Sequence, residues 1–215
     1  MLHSERTYLP AAGHDWFLPI YDPVTRLLGV DKARSTLLEQ AALEPHHRVL
    51  DVGCGTGSLA LLLKHVHPAV EIIGIDPDPR ALARAERKTA RAGVSVRFDR
   101  GFADALPYGD GTFDRVFSSM MLHHVDAGQK NQALREMRRV LKPGGRLELL
   151  DFVGADSGGR GLLGRLIHSH QRLTDNSETR VLELLSAAGF PDPKMLRQRR
   201  MLFGRVAFYQ DRRDA

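Results

Sequence analysis

An α/β fold, a parallel sheet with helices packed on both faces, is what this sequence predicts. Strand-length apolar runs alternate with helical stretches of about ten to fifteen residues, the pattern of repeated strand–helix–strand units. A glycine-rich turn stands directly between one such strand and the next helix. The last third changes character and reads as a helix followed by a hairpin, so the parallel core ends in an antiparallel edge.

The elements follow in order. Asp31 to Leu43 carries Ala33, Leu37, Leu38, Ala41 and Ala42 at helical spacing, and Pro45 ends it. His47 to Val52 is a short apolar strand, Ser58 to Val66 a helix, and Glu71 to Ile75 a second strand. Asp78-Pro79 opens a helix that stops at Gly93, because aspartate suits the N-cap and proline has no N–H to lose in the first turn. Val94 to Phe98 and Phe113 to Ser118 are strands, and Asn131 to Leu141 is a helix closed by Pro143-Gly144-Gly145. Arg146 to Phe152 is a strand, Ser177 to Ala188 a helix, and Met195–Phe203 with Arg205–Tyr209 a hairpin turning near Gly204. Between them, Gly154 to Asp175 is an insertion holding a short amphipathic helix over Leu162 to Leu173.

Composition sets limits on function. A chain of 215 residues and 24.0 kDa is one domain, able to bury roughly 70% of its unfolded surface. Its 42% hydrophobic and 27% charged content is globular, not disordered. A single cysteine, Cys54, excludes an internal disulfide and any zinc site built on several thiolates. No apolar run approaches the roughly 18 residues of a membrane span, and the early His3, Glu5 and Arg6 do not suit a secretory signal. A cytoplasmic location is expected. The net charge of +5 is uneven: residues 154–215 hold 11 basic and 7 acidic residues, or +4. Such a basic region suits a solvated hairpin face, an anionic membrane surface, an acidic substrate or nucleic acid, and the solvated face is the simplest reading.

Asp51-Val52-Gly53-Cys54-Gly55-Thr56-Gly57 is the strongest chemical signal. Glycines at alternate positions let the chain turn sharply and let a ligand approach where a Cβ would collide. The spacing fits the dinucleotide fingerprint poorly, since Ser58 falls where its third glycine belongs, and suits a nucleoside held without a pyrophosphate. Asp76 closes the next strand about 20 residues on, where a carboxylate accepts ribose hydroxyls. It could instead cap the following helix, but Asp78 is better placed for that.

Asp51 to Gly57, Gly74-Ile75-Asp76, Ala105-Leu106-Pro107-Tyr108, Phe113-Asp114-Arg115-Val116, Leu122-His123-His124 and Leu141-Lys142-Pro143-Gly144-Gly145 together resemble the successive motifs of class I S-adenosylmethionine-dependent methyltransferases. Their order resembles the branch that contains quinone-biosynthesis C-methyltransferases and many small-molecule enzymes. The resemblance runs from Tyr21 to Tyr209. It implies a Rossmann-like doubly wound seven-stranded sheet, with six parallel strands and one antiparallel edge strand. It also implies S-adenosylmethionine as cofactor and in-line methyl transfer to a small organic acceptor. Asp51 and the backbone of Gly53 and Gly55 would hold the methionine end, Asp76 with Pro77 the ribose side, and Ser118 backbone contacts near the methionine. Tyr21 would touch the cofactor carboxylate, or else be a core tyrosine. Relatives carry an aspartate for the adenine amino group where this chain has Phe102. Ala103 and Asp104 are therefore the expected adenine contacts, or Phe102 packs on the ring.

His123 and His124 are the candidate general bases, His123 first; the alternative is one buried structural histidine and one surface residue. An acceptor with its own lone pair needs no base at all. Cys54 is expected to fill space, Asp114 to be a structural carboxylate, and the histidines at 65, 67, 168 and 170 to bind no metal. The expected organisation is a cap over 1–30, a cofactor-binding core over 31–153, a lid over 154–175, and a helix with hairpin over 176–215. The expected acceptor is a small molecule, with an isoprenoid quinone precursor or other lipid as an alternative that would bring peripheral membrane contact. Nucleic acid is disfavoured by the lack of an appended binding module. A non-catalytic cofactor-binding protein and a nicotinamide-dependent oxidoreductase are the rivals.

Overall fold

The computed structural model describes residues 28–153, 177–201 and 204–214. In chain order these form α1 (Val30–Gln40), β1 (Arg48–Val52), α2 (Ser58–Val66), β2 (Glu71–Asp76), α3 (Pro79–Arg91), β3 (Arg97–Arg100) and β4 (Phe113–Ser119). A 3₁₀ turn (Leu122–His124), α4 (Ala127–Val140), β5 (Leu141–Phe152), α5 (Glu178–Ala187), β6 (Lys194–Met201) and β7 (Gly204–Arg212) follow. Tyr21, the cap over 1–30 apart from its last three residues, the lid and its helix at 162–173 lie outside the described residues.

The seven strands form one sheet in the order β3-β2-β1-β4-β5-β7-β6. β1 to β5 pair in parallel; β7 runs against β5, and β6 runs against β7. Six strands therefore share one direction, and the antiparallel strand sits one place in from the β6 edge. The order reverses between β1 and β4, which opens a crevice at the carboxyl ends of the two strands where open α/β sheets bind ligands.

Each face of the sheet buries its own core. On one side, α1 and α2 contribute Leu37, Leu38, Leu59 and Leu63 against Val49, Ile72, Phe117, Leu150 and Phe208. On the other, α4 and α5 contribute Leu134, Met137, Val181 and Leu185 against Leu50, Ile73, Val116, Leu149 and Tyr209. Full burial of each such side chain favours folding by about 1.5–3 kcal/mol before entropy is counted.

Helix ends follow local chemistry. Asp78 caps α3 by accepting from Arg80 N at 2.8 Å with Pro79 behind it, and Ser177 caps α5 through Arg180 N at 3.2 Å. Two expected boundaries move. The third strand pairs at 97–100 rather than at Val94–Phe98, because Gly93 turns left-handed at φ 67° and Val94 N bonds back to Thr89 O at the end of α3. The Leu141–Gly145 stretch belongs to β5 rather than to a loop, since Phe113 pairs with Leu141 and a register shift then admits Pro143-Gly144-Gly145.

Candidate functional site

The loop after β1 is held by backbone bonds to β2. Gly53 N and Cys54 N both donate to Ile75 O, at 2.8 and 3.1 Å, and Gly55 N donates to Asp76 Oδ2 at 2.9 Å. Gly53 has φ 72°, and a Cβ there would lie 2.1 Å from Met121 Cγ, so only glycine fits. Asp76 ends β2 nearly buried, and its second oxygen accepts from Asp78 N at 2.9 Å. Burial pushes the Asp76 carboxyl up to about 6, while those two N–H donors oppose the rise.

Asp51 stands beside it at the end of β1, paired in register with Gly74 and Phe117. It is 1% exposed, and its Oδ2 has no hydrogen-bond partner among the described residues. Burial raises its carboxyl to about 7; the Arg34 charge lowers it, and Asp76 raises it. Arg34 comes from the buried stripe of α1 and is 7% exposed, with NH1 3.4 Å from Asp31 Oδ1 and an unsatisfied Nε. Ser118, fully buried on β4, has an unsatisfied Oγ. A buried polar atom left without a partner costs about 1–3 kcal/mol, so each of these atoms would gain from a polar partner.

A second cluster joins β4 to β5. His123 Nδ1 lies 2.6 Å from Asp151 Oδ1, and His123 N donates to Asp151 Oδ2 at 3.1 Å. Phe152 N adds a third bond to Oδ1 at 2.7 Å. Asp151 is wholly buried and His123 nearly so. The His123 ring meets the Phe152 ring edge-on at 4.9 Å and lies 4.1 Å from the ring of His124, which is half-buried.

Residues 49–145 match the family model described as a methyltransferase domain. The demethylmenaquinone methyltransferase of Deinococcus radiodurans is 38% identical over 190 residues, covering 84% of this chain and 78% of that protein. That of Thermus thermophilus is 41% identical over 151 residues, 69% of this chain and 68% of that protein. The chain belongs to the class I S-adenosylmethionine-dependent methyltransferases, in the quinone C-methyltransferase branch. A methyltransferase of Aquifex aeolicus shares the fold, with a TM-score of 0.71 at 22% identity over 91% of this chain and 96% of that one.

In this methyltransferase Asp51, Gly53, Gly55, Asp76 and Ser118 converge on the crevice at the carboxyl ends of β1, β2 and β4. The N–H groups of Gly53 and Gly55 are already bonded within the protein. Pro77 is half-buried after β2, and its carbonyl accepts from Arg100 Nε at 3.3 Å. Ala103 packs on the core, and half-buried Asp104 accepts from Gln129 Nε2 at 3.3 Å. Arg139 steadies the following turn by donating to Leu106 O and Tyr108 O while paired with Glu136.

Asp114 lies at the other end of β4, where Arg48 N and Lys142 Nζ bind it, so it is structural as expected. Cys54 is buried, and burial holds its thiol well above the ordinary range, protonated and unreactive. Among the described residues no cluster of His, Cys, Asp and Glu could hold a metal, and no helix is long and apolar enough to cross a membrane. Two residues escaped sequence reasoning. Asp151 is an acid near the end of a buried strand, which the pattern shows without its partner His123, and Arg34 is a cation among the apolar positions of α1.

Proposed function

We propose that this methyltransferase is a cytoplasmic enzyme that methylates a ring carbon of a hydroquinone, the reduced precursor of an isoprenoid quinone. The observation that carries the reading is the buried His123–Asp151 pair. As a carboxylate, Asp151 accepts Nδ1–H and so fixes the tautomer whose basic nitrogen is Nε2. An imidazole so held takes a proton from an acceptor hydroxyl, and Asp151 stabilises the imidazolium that results. Loss of that proton gives a phenolate, whose electron density makes the adjacent ring carbon the nucleophile. The proton displaced from that carbon leaves to solvent and restores the aromatic ring. The relatives named demethylmenaquinone methyltransferase support this acceptor class.

The residues around β1 and β2 fit S-adenosylmethionine. It supplies an activated sulfonium methyl group. Each Asp76 oxygen, already holding one backbone N–H, retains a lone pair for a ribose hydroxyl. Asp51 Oδ2 would take the ammonium of the methionine moiety, and Arg34 its carboxylate. Ser118 would contribute near the methionine, with Pro77, Ala103 and Asp104 along the nucleoside. His123 is assigned as the base, and His124 as the ring packed against it.

The test is incubation with a water-soluble demethylated naphthohydroquinone and S-adenosylmethionine, with the product identified by mass and proton spectra. A C-methyl product is expected. In Asp151→Asn, kcat should fall about 10²- to 10⁴-fold while affinity for S-adenosylhomocysteine stays within about twofold. An O-methyl product, or no transfer from protein that binds the cofactor, would overturn the acceptor reading. An unchanged kcat in Asp151→Asn would remove the base.

A further inference from the structure

Among the described residues β6 is the outer strand of the sheet, bonded only to β7. From Lys194 to Gln210 the sequence holds five cations, Lys194, Arg197, Arg199, Arg200 and Arg205, and no acid. They are not equivalent. Lys194, at the start of the strand, pairs with Asp192 at 2.7 Å. The side chains of Arg197, Arg199 and Arg200 make no ion pair or hydrogen bond with any described residue, and Arg197 and Arg200 are exposed. Arg200 stands directly opposite Arg205 across the ladder, so two like charges meet at that end of β6.

The register says where this charge sits. Arg199 pairs with Val206, and Val206 with Phe152, the residue after Asp151. Cation density therefore rises along β6 toward the end of the sheet that carries the His123–Asp151 pair, and the cation at the far end is the one neutralised. A charged edge that only prevents strand pairing between molecules would need no such bias along its length.

We propose that Arg197, Arg199 and Arg200, alternating about the outer edge of β6 with Arg205 opposite Arg200, form an edge-on docking surface for the anionic headgroups of a phospholipid bilayer, turned so that the acceptor enters from the membrane. The inference rests on the isoprenoid hydroquinone reading, since such an acceptor resides in a bilayer. β6 carries no aromatic side chain on which a base could stack, which disfavours a nucleic-acid strand as the partner.

Sedimentation with vesicles of phosphatidylcholine, with and without phosphatidylglycerol, tests it on the full chain. The protein should sediment with the anionic vesicles only, and release on raising salt to about 0.5 M, where screening shortens to a few ångströms. Each arginine near an anionic leaflet strengthens binding about fivefold, so Arg197→Gln/Arg199→Gln/Arg200→Gln should bind about 100-fold more weakly. The thermal midpoint and S-adenosylhomocysteine affinity of that variant report whether it is folded. Equal binding to neutral vesicles, unchanged binding by the folded variant, or binding to duplex DNA or RNA in place of vesicles would overturn the proposal. Rates on the water-soluble hydroquinone separate the two readings. If wild type and variant turn it over alike, loss of vesicle binding concerns docking alone. If wild type fails to methylate it, the acceptor assignment falls whatever the vesicles show.

Discussion

Asp51 and Arg34 are both buried, the Arg34 charge acts on the Asp51 carboxyl, and each keeps a polar atom unsatisfied among the described residues. The amino-acid end of S-adenosylmethionine carries the complementary pair of charges. If Arg34 holds the carboxylate, Arg34→Met should weaken S-adenosylhomocysteine by about 10- to 100-fold, the worth of one charge-assisted hydrogen bond. The same variant should bind 5′-methylthioadenosine, which lacks the amino acid, as wild type does. Calorimetry with both ligands decides it, because a merely loosened fold would weaken both together. Asp76 and Asp78 were legible in the sequence because their duties are local: each meets backbone within a few residues or across one strand. Asp151 was not, because its partner is His123, 28 positions earlier, and only the pairing of β4 with β5 brings them together.

Elements were legible wherever burial pattern and capping agreed. The second helix was read at its observed bounds, α3 has the cap that Asp78 suggests, and α5 begins one residue later than expected, with Ser177 as its cap. The expected helix over Asn131–Leu141 begins four residues earlier, at Ala127, because Gln129 N and Lys130 N close a turn on Asp126 O despite the weak helix former Gly128. β3 and β5 were misplaced for a shared reason: whether a backbone N–H joins a ladder depends on the neighbouring strand's register, not on its own side chain. The glycine loop is also a packing element. A Cβ on Gly57, whose φ is 71°, would fall 2.8 Å from Ala85 Cβ and 3.1 Å from Phe98 Cζ. Gly57→Ala should therefore cost about 2–4 kcal/mol by strain and overpacking together, read as a lower denaturant midpoint at unchanged m-value.

Across the whole molecule, buried carboxylates give stability a pH dependence of unusual sign. Asp51 is raised from 3.8 to about 7, Asp76 from 3.8 to about 6, and Glu148 from 4.5 to about 7 by burial against Gln40 and Gln210 donors. A folded-state carboxyl above its unfolded value means the folded chain holds the proton more tightly. The contribution of these three groups is therefore full below about pH 4, is lost as pH rises toward 7, and is constant beyond. Urea titrations of the unliganded protein at several pH values should show this fall, and Asp51→Asn should make it shallower. Cofactor binding runs the other way. An ammonium bound by Asp51 requires the carboxylate, so S-adenosylhomocysteine affinity should climb up to about tenfold per pH unit below 7 and level off above it. Asp51→Asn should flatten that climb, which calorimetry from pH 6 to pH 8 would show.

The reversal of strand order between β1 and β4 divides the labour of the reaction along a seam. Most groups suited to the methyl donor stand on β1, β2 and α1, with Ser118 on β4, and the proposed proton-handling pair stands in the turn after β4 and on β5. Most of the proposed donor contacts therefore precede Gly111 and the proposed base follows it, on two stretches joined by the β1–β4 pairing and by the packing of α1 and α2 against the later strands. On the proposed roles, a lineage can exchange one acceptor for another largely by altering the later stretch, because most of what would grip the donor stands before Gly111.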